Sequence, residues 1–195
     1  MRRGPLLFAA VAVLFLIWAG NRAINHRPFP PDTAPDGAYA RIALAIADRR
    51  PRDMFAYLET EAQWAAYSIR EARKAACERV RASYPAGERE RLLDAWREEA
   101  EADDGPDLFA LLALRKRWIA RLERDLSGTA HVEVEGDRAT VVTARGTRYP
   151  FRRRENGIWG LTVFTAELQA EAERAARDLA EVQRDAADYD RGRER

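Results

Sequence analysis

Near the start of the chain, Leu6 to Gly20 (LLFAAVAVLFLIWAG) is an uninterrupted apolar run without a charge. A membrane-spanning helix needs roughly 17–25 such residues at 1.5 Å each to cross about 30 Å of hydrocarbon. Gly4 and Pro5 extend the run outward, Trp18 suits the interfacial zone, and Arg3 and Arg22 can reach headgroups. A cleavable secretory signal has the same charged start and apolar centre. Cuts after Ala19, Gly20 or Ala23, however, put Ile17, Trp18 or Asn21 where a small residue belongs. The favoured reading is a retained single-pass anchor over residues 1–24, with residues 5–20 in the membrane. Either reading carries the remainder across. Arg2 and Arg3 favour a cytoplasmic N-terminus, which places the C-terminal domain outside the cytoplasm, in the periplasm of a bacterial cell. Residues 25–35 include HRPFPPDTAP, whose four prolines make a stiff, extended spacer.

Beyond the spacer the apolar period is helical. Tyr39, Ile42, Ala43, Ile46 and Ala47 recur at three- and four-residue steps, and Asp48–Pro51 ends that helix. A second helix is predicted from Asp53 through Phe55, Tyr57, Leu58, Trp64, Ala65 and Tyr67, continuing with a break into Ile69, Ala72, Ala76 and Val80. Tyr84–Gly87 stops it. Glu88–Ala102 reads as a short charged helix. Asp107 is expected to cap one long helix carrying Leu108, Leu112, Trp118 and Leu126, with Gly128 as its left-handed end.

After Gly128 the period changes to two. Ala130, Val132 and Val134 alternate with His131, Glu133 and Glu135; turns at Gly136, Gly146 and Asn156–Gly157 lead into strands over 138–144, 147–153 and 158–164. Helices followed by a four-stranded antiparallel meander make an α+β domain over residues 36–165. Residues 166–195 read as a polar, charged helix. Its Leu168, Ala172, Ala175, Leu179, Val182, Ala186 and Tyr189 alternate four- and three-residue steps, the spacing of a coiled-coil seam. Two readings stand for it: self-association or a protein partner through residues 168–189, or a solvated helix lying back on the domain.

Composition narrows the function classes. Lys+Arg number 33 against 32 Asp+Glu, a net charge of +1, so no nucleic-acid partner is expected from a chain without a basic excess. The single Cys77 rules out an intrachain disulfide, and two widely separated histidines offer no metal spacing. No phosphate-binding glycine loop or nucleophile elbow occurs, and no cofactor or metal is expected.

Gly37–Trp64, GAYARIALAIADRRPRDMFAYLETEAQW, with the later Trp159-Gly160-Leu161, resembles the envelope-anchored branch of the nuclear-transport-factor-two-like superfamily. The resemblance covers about residues 35–165. It implies a cone-shaped α+β fold with a helix-lined pocket against the sheet, used by different members for binding, assembly or catalysis. Isomerases of that fold work with a buried carboxylate and a proton-donating Tyr or Asp, which singles out Tyr39, Asp53 and Tyr57 as pocket candidates. The long helical middle and the helix after the sheet depart from the pattern.

One concentration of charge remains, Arg148, Arg152, Arg153 and Arg154. On a strand Arg148 and Arg152 share a face. The strip is read either as an anion-binding surface for lipid headgroups or an acidic partner, or as a solvated face that discourages edge pairing. The function expected from the sequence is a membrane-tethered, extracytoplasmic binding or assembly module without evident catalytic residues. The alternative is a small-molecule pocket protein or isomerase-type enzyme of the cone fold.

Overall fold

The computed structural model describes residues 29–193. The proposed anchor over residues 5–20 lies outside them, as does most of the spacer. Among the described residues no helix is long and apolar enough to cross a membrane. Among the described residues, 31–193 belong to one compact unit.

Helix α1 (Pro35–Ala47) opens with proline in its first turn, where the missing N–H costs nothing. It buries Ala38, Tyr39, Ile42, Ala45 and Ile46. A 3-10 helix (Pro51–Tyr57) follows, then α2 (Thr60–Ser83), α3 (Ala86–Ala100), α4 (Gly105–Arg115) and α5 (Trp118–Asp125). Four strands, β1 (Thr129–Glu135), β2 (Arg138–Thr143), β3 (Arg148–Arg153) and β4 (Trp159–Leu161), form an antiparallel sheet in sequential order. Helix α6 (Thr165–Arg193) closes the chain. The α+β class and the meander expected from the sequence are therefore present.

Two cores hold this together. The larger one joins Tyr39, Ile42 and Ile46 of α1, Met54 and Leu58, Phe109 and Trp118, and the sheet's Val141, Tyr149, Phe151 and Leu161. Trp118 stacks on Phe164, centroids 4.9 Å apart. The smaller core lies between the far ends of α2 and α6, where Ala76, Val80 and Tyr84 meet Val182 and Ala186 under Leu92, Leu93 and Trp96 of α3. The row expected to be a coiled-coil seam thus faces α2 of its own chain, with Leu168, Ala175, Val182 and Ala186 buried. Between the cores sits Arg73, buried, donating to Glu99 (2.9 Å) and Asp178 (2.6 Å) with its guanidinium 4.9 Å over Trp96.

Several boundaries differ from the expectation, each for a tertiary reason. The second helix is interrupted at Leu58–Glu59, not beyond Tyr67, because Leu58 bridges Leu161 in parallel and Glu59 N–H donates to Leu161 O at 3.2 Å. The cap of α4 is Asp104, whose Oδ1 accepts from Asp107 N–H at 2.9 Å, so Asp107 lies within the first turn. The long helix expected up to Leu126 breaks at Arg117, φ 59°, which turns Trp118 into the core and lets its Nε1–H reach Glu167 at 2.5 Å. Gly128 takes no left-handed conformation; among the described residues the glycines with positive φ are Gly136, Gly146 and Gly157, all at turns between strands. The expected strand over 158–164 is only Trp159–Leu161, and β1 is mostly exposed: Val132 packs partly against the larger core, whereas Val134 is 59% exposed.

Candidate functional site

The three pocket candidates do not share one environment. Tyr39 is buried, its ring 5.3 Å from that of Tyr149, and its hydroxyl donates to Ser127 O at 2.7 Å. Burial raises the pKa of both phenols, Tyr149 to about 12, and the Tyr149 hydroxyl has no hydrogen-bond partner. Asp53 is exposed and paired with Arg50 at 3.2 Å. Tyr57 is half-buried at the end of the 3-10 helix. The space between α1 and the sheet that would hold these groups together is filled by core side chains.

The arginine strip also divides. Arg148 meets Glu133 on the neighbouring strand β1, and that hydrogen bond lowers the pKa of the exposed Glu133 carboxyl. Arg152, Arg153 and Arg154 instead gather at the end of β3. There they border a cleft of about 540 Å³ with Glu59, Thr60, Glu61, Trp64, Glu155 and Asn156.

Backbone contact builds this cleft. Gly160 in β4 lies so close to the 3-10/α2 junction that a Cβ would sit 2.5 Å from Glu59 Cα. Only glycine permits that approach, which brings the start of α2 against the end of β3. Glu59 is 5% exposed; Thr165 Oγ1 donates to its carboxylate, and Arg152 Nη1 lies 3.8 Å away. Burial is the largest influence on Glu59 and pushes its pKa above the ordinary carboxylate value. Arg152 is shared further with Glu61 (3.4 Å) and Asp137 (4.0 Å), so its charge is neutralised within the fold.

Arg154 and Arg153 are different. Arg154 is fastened by neutral acceptors, Ala56 O at 2.8 Å and Gln63 Oε1 at 3.0 Å, and Gln63 is itself held by Phe55 O at 2.7 Å. Desolvation lowers its pKa, and no carboxylate compensates it. Arg153 is exposed and makes no ion pair among the described residues. Beside them Trp64 is 66% exposed, with Tyr67 edge-on at 6.4 Å. Two uncompensated guanidinium groups and an open indole at one concavity can hold an anion that carries a flat or apolar portion. The described residues contain no group of three or more His, Cys, Asp or Glu arranged to hold a metal ion.

The sequence pointed to Arg152–Arg154 but missed Glu59 and Trp64. Its apolar character groups Trp64 with the core positions of its helix, yet at 100° per residue it lies about 200° from Ala62, opposite the face formed by Ala62, Ala66, Ile69, Arg73 and Ala76. The correct helical phase is the signal that would have found it. Glu59 carried none, because its burial is created by Gly160 a hundred residues later in the chain. No protein-family model, curated protein or solved structure matches the chain.

Proposed function

We propose that the chain is a membrane-tethered, extracytoplasmic binding module that takes an anionic ligand in the Trp64–Arg153–Arg154 cleft. The observation that carries the reading is the pairing of two guanidinium groups lacking carboxylate partners with a large exposed aromatic ring in a cleft of about 540 Å³. A structural arginine is ordinarily neutralised by a neighbour, as Arg152 is. An indole left open beside such charges supplies stacking area for the ligand's uncharged part. The tether rests on the apolar run over residues 5–20, and the helices-then-meander order fits the cone-like resemblance over about 35–165.

Phenyl phosphate is a suitable probe because it joins a flat ring to an anion. Calorimetric titration of the full chain in neutral detergent should give a Kd of about 1 mM, some −4 kcal/mol. Phenol should bind at least tenfold more weakly, and Trp64→Ala and Arg153→Ala should each cost about tenfold. Both side chains are exposed, so neither substitution disturbs the core. Equal affinity for phenol and phenyl phosphate, or unchanged binding by both variants, would refute the assignment.

A second reading comes from Glu59, a buried carboxylate with raised pKa lining the same cleft. It assigns that group a proton-transfer role toward the bound anion. Glu59→Gln separates the two readings: a pure binder retains affinity and shows no turnover in either form, whereas an acid–base enzyme loses turnover alone.

A further inference from the structure

Five described residues have positive φ, and three of them, Gly136, Gly146 and Gly157, are the glycines that such a conformation favours. The other two are arginines, Arg49 at φ 56° and Arg117 at φ 59°. Each lies just past a helix end. After α1, Arg49 N–H donates to Ile46 O at 3.0 Å and Arg50 N–H to Ala45 O at 2.8 Å, the Schellman pattern in which glycine normally takes the left-handed position. After α4, Arg117 N–H donates to Leu114 O at 3.1 Å in the same manner. A side chain there crowds the backbone, and the chain uses glycine at its other positive-φ sites.

Both strained arginines line one cleft of about 330 Å³, with Pro51, Leu114, Ile119 and Glu123. Leu114 is 62% exposed, a large apolar side chain next to two cations. Neither Arg49 nor Arg117 has an ion pair among the described residues, and the same holds for Arg124, which joins Arg117 in an adjoining basic depression with Lys116 and Arg121. Lys116 and Arg121 are answered by Glu171 and Glu167. Among the residues lining these two depressions, three arginines are thus without an ion pair, Glu123 is the single acid, and Leu114 is the exposed apolar side chain. Side chains held in the left-handed region cost stability and cluster at functional sites.

We propose that this face docks on an anionic bilayer, its arginines on lipid phosphates and Leu114 at the acyl boundary. Charge complementarity selects the occupant: a lipid surface offers a dense field of phosphates beside hydrocarbon, which suits adjoining basic depressions with an exposed leucine at one of them. This docking does not depend on the Trp64 cleft, which lies on a different set of elements.

Cys77 is the only cysteine and is buried, and the exposed Ala120 lines both depressions, so Ala120→Cys introduces one reactive thiol at the face and keeps Leu114 in place. The full-length variant is placed in nanodiscs of phosphatidylcholine alone or with about 30% phosphatidylglycerol; should it elute apart from the discs, it is mixed with vesicles of the same lipids. Maleimide labelling should slow at least tenfold on the anionic lipid, and 1 M salt should restore the rate. Added separately, Arg49→Gly and Arg117→Gly should each relax that protection about fivefold. Because glycine relieves the strained φ, both variants should keep or raise the thermal midpoint. Equal labelling on the two lipids, or protection that survives both glycine variants, would overturn the proposal. A lowered midpoint in both would also overturn it, by assigning the arginines a structural role.

Discussion

Replacing Gly160 by alanine tests the contact from which the cleft is built. The new Cβ would lie 2.5 Å from Glu59 Cα, 2.6 Å from Glu59 N and 2.8 Å from Leu58 C, all backbone atoms that cannot swing aside as a side chain would. Ordinary contact begins near 3.4 Å, so the two segments must part by most of an ångström. Overpacking of this kind costs about 1–3 kcal/mol. Separation also strains the Glu59 N–H to Leu161 O hydrogen bond, worth about 1 kcal/mol when lost. The expected destabilisation is ~2–4 kcal/mol, a fall in Tm of about 5–15 °C for a domain of this size. Far-UV circular dichroism melting of Gly160→Ala should show it, together with weaker phenyl phosphate binding at temperatures where the variant is folded. Gly87→Ala is the matched control. Gly87 lies in the first turn of α3 with nothing within 4 Å of a new Cβ, so alanine there should be neutral or stabilise by up to about 1 kcal/mol. If Gly160→Ala melts within about 1 °C of the parent protein, the close approach does not hold Glu59 against the sheet and the reasoning fails.

Two further perturbations probe the charged interior. The pKa of Glu59 is raised in the folded state, so its contribution to stability is fully present below the ordinary value of 4.5 and is lost as pH rises through the folded value. Glu59→Gln lacks this titration; urea unfolding should therefore show the variant gaining on the parent between pH 4.5 and pH 7.5, and a difference that is flat or of opposite sign would contradict the assignment. Arg73→Met should cost about 3 kcal/mol in urea unfolding, because Glu99 and Asp178 lose a common buried partner, and adding Glu99→Gln and Asp178→Asn should recover part of the loss. No loss in the single variant would mean that the cation does not clamp α2 to α3 and α6.

The order of elements was legible in the sequence because it depends on local chemistry. Pro35 starts a helix, Tyr84–Gly87 ends one, and Gly136, Gly146 and Gly157 supply the positive φ that three successive turns require. The alternation after Gly128 announced strands, and the absence of histidine and cysteine sets needed no structure to read. The arginines at the end of β3 were visible too, as a run of like charge. What they could do was not.

Tertiary structure decided which groups meet. Arg148 and Arg152 share a strand face, but strand assembly gave Glu133 of β1 to the first, and packing of the start of α2 against the sheet gave Glu59 and Glu61 to the second. Helical phase turned Trp64 outward, although its apolar character placed it with the core in the sequence. The break at Arg117 could not be seen because its residues favour helix locally, and burying Trp118 prevails over continuing the turn. The row from Leu168 to Ala186 carried a seam's spacing without its partner's identity; α2 of the same chain fills it. Periodicity is a property of neighbours along a chain and can be read from it. Contact between residues a hundred positions apart depends on which apolar faces close together, and that is settled by packing the whole domain at once.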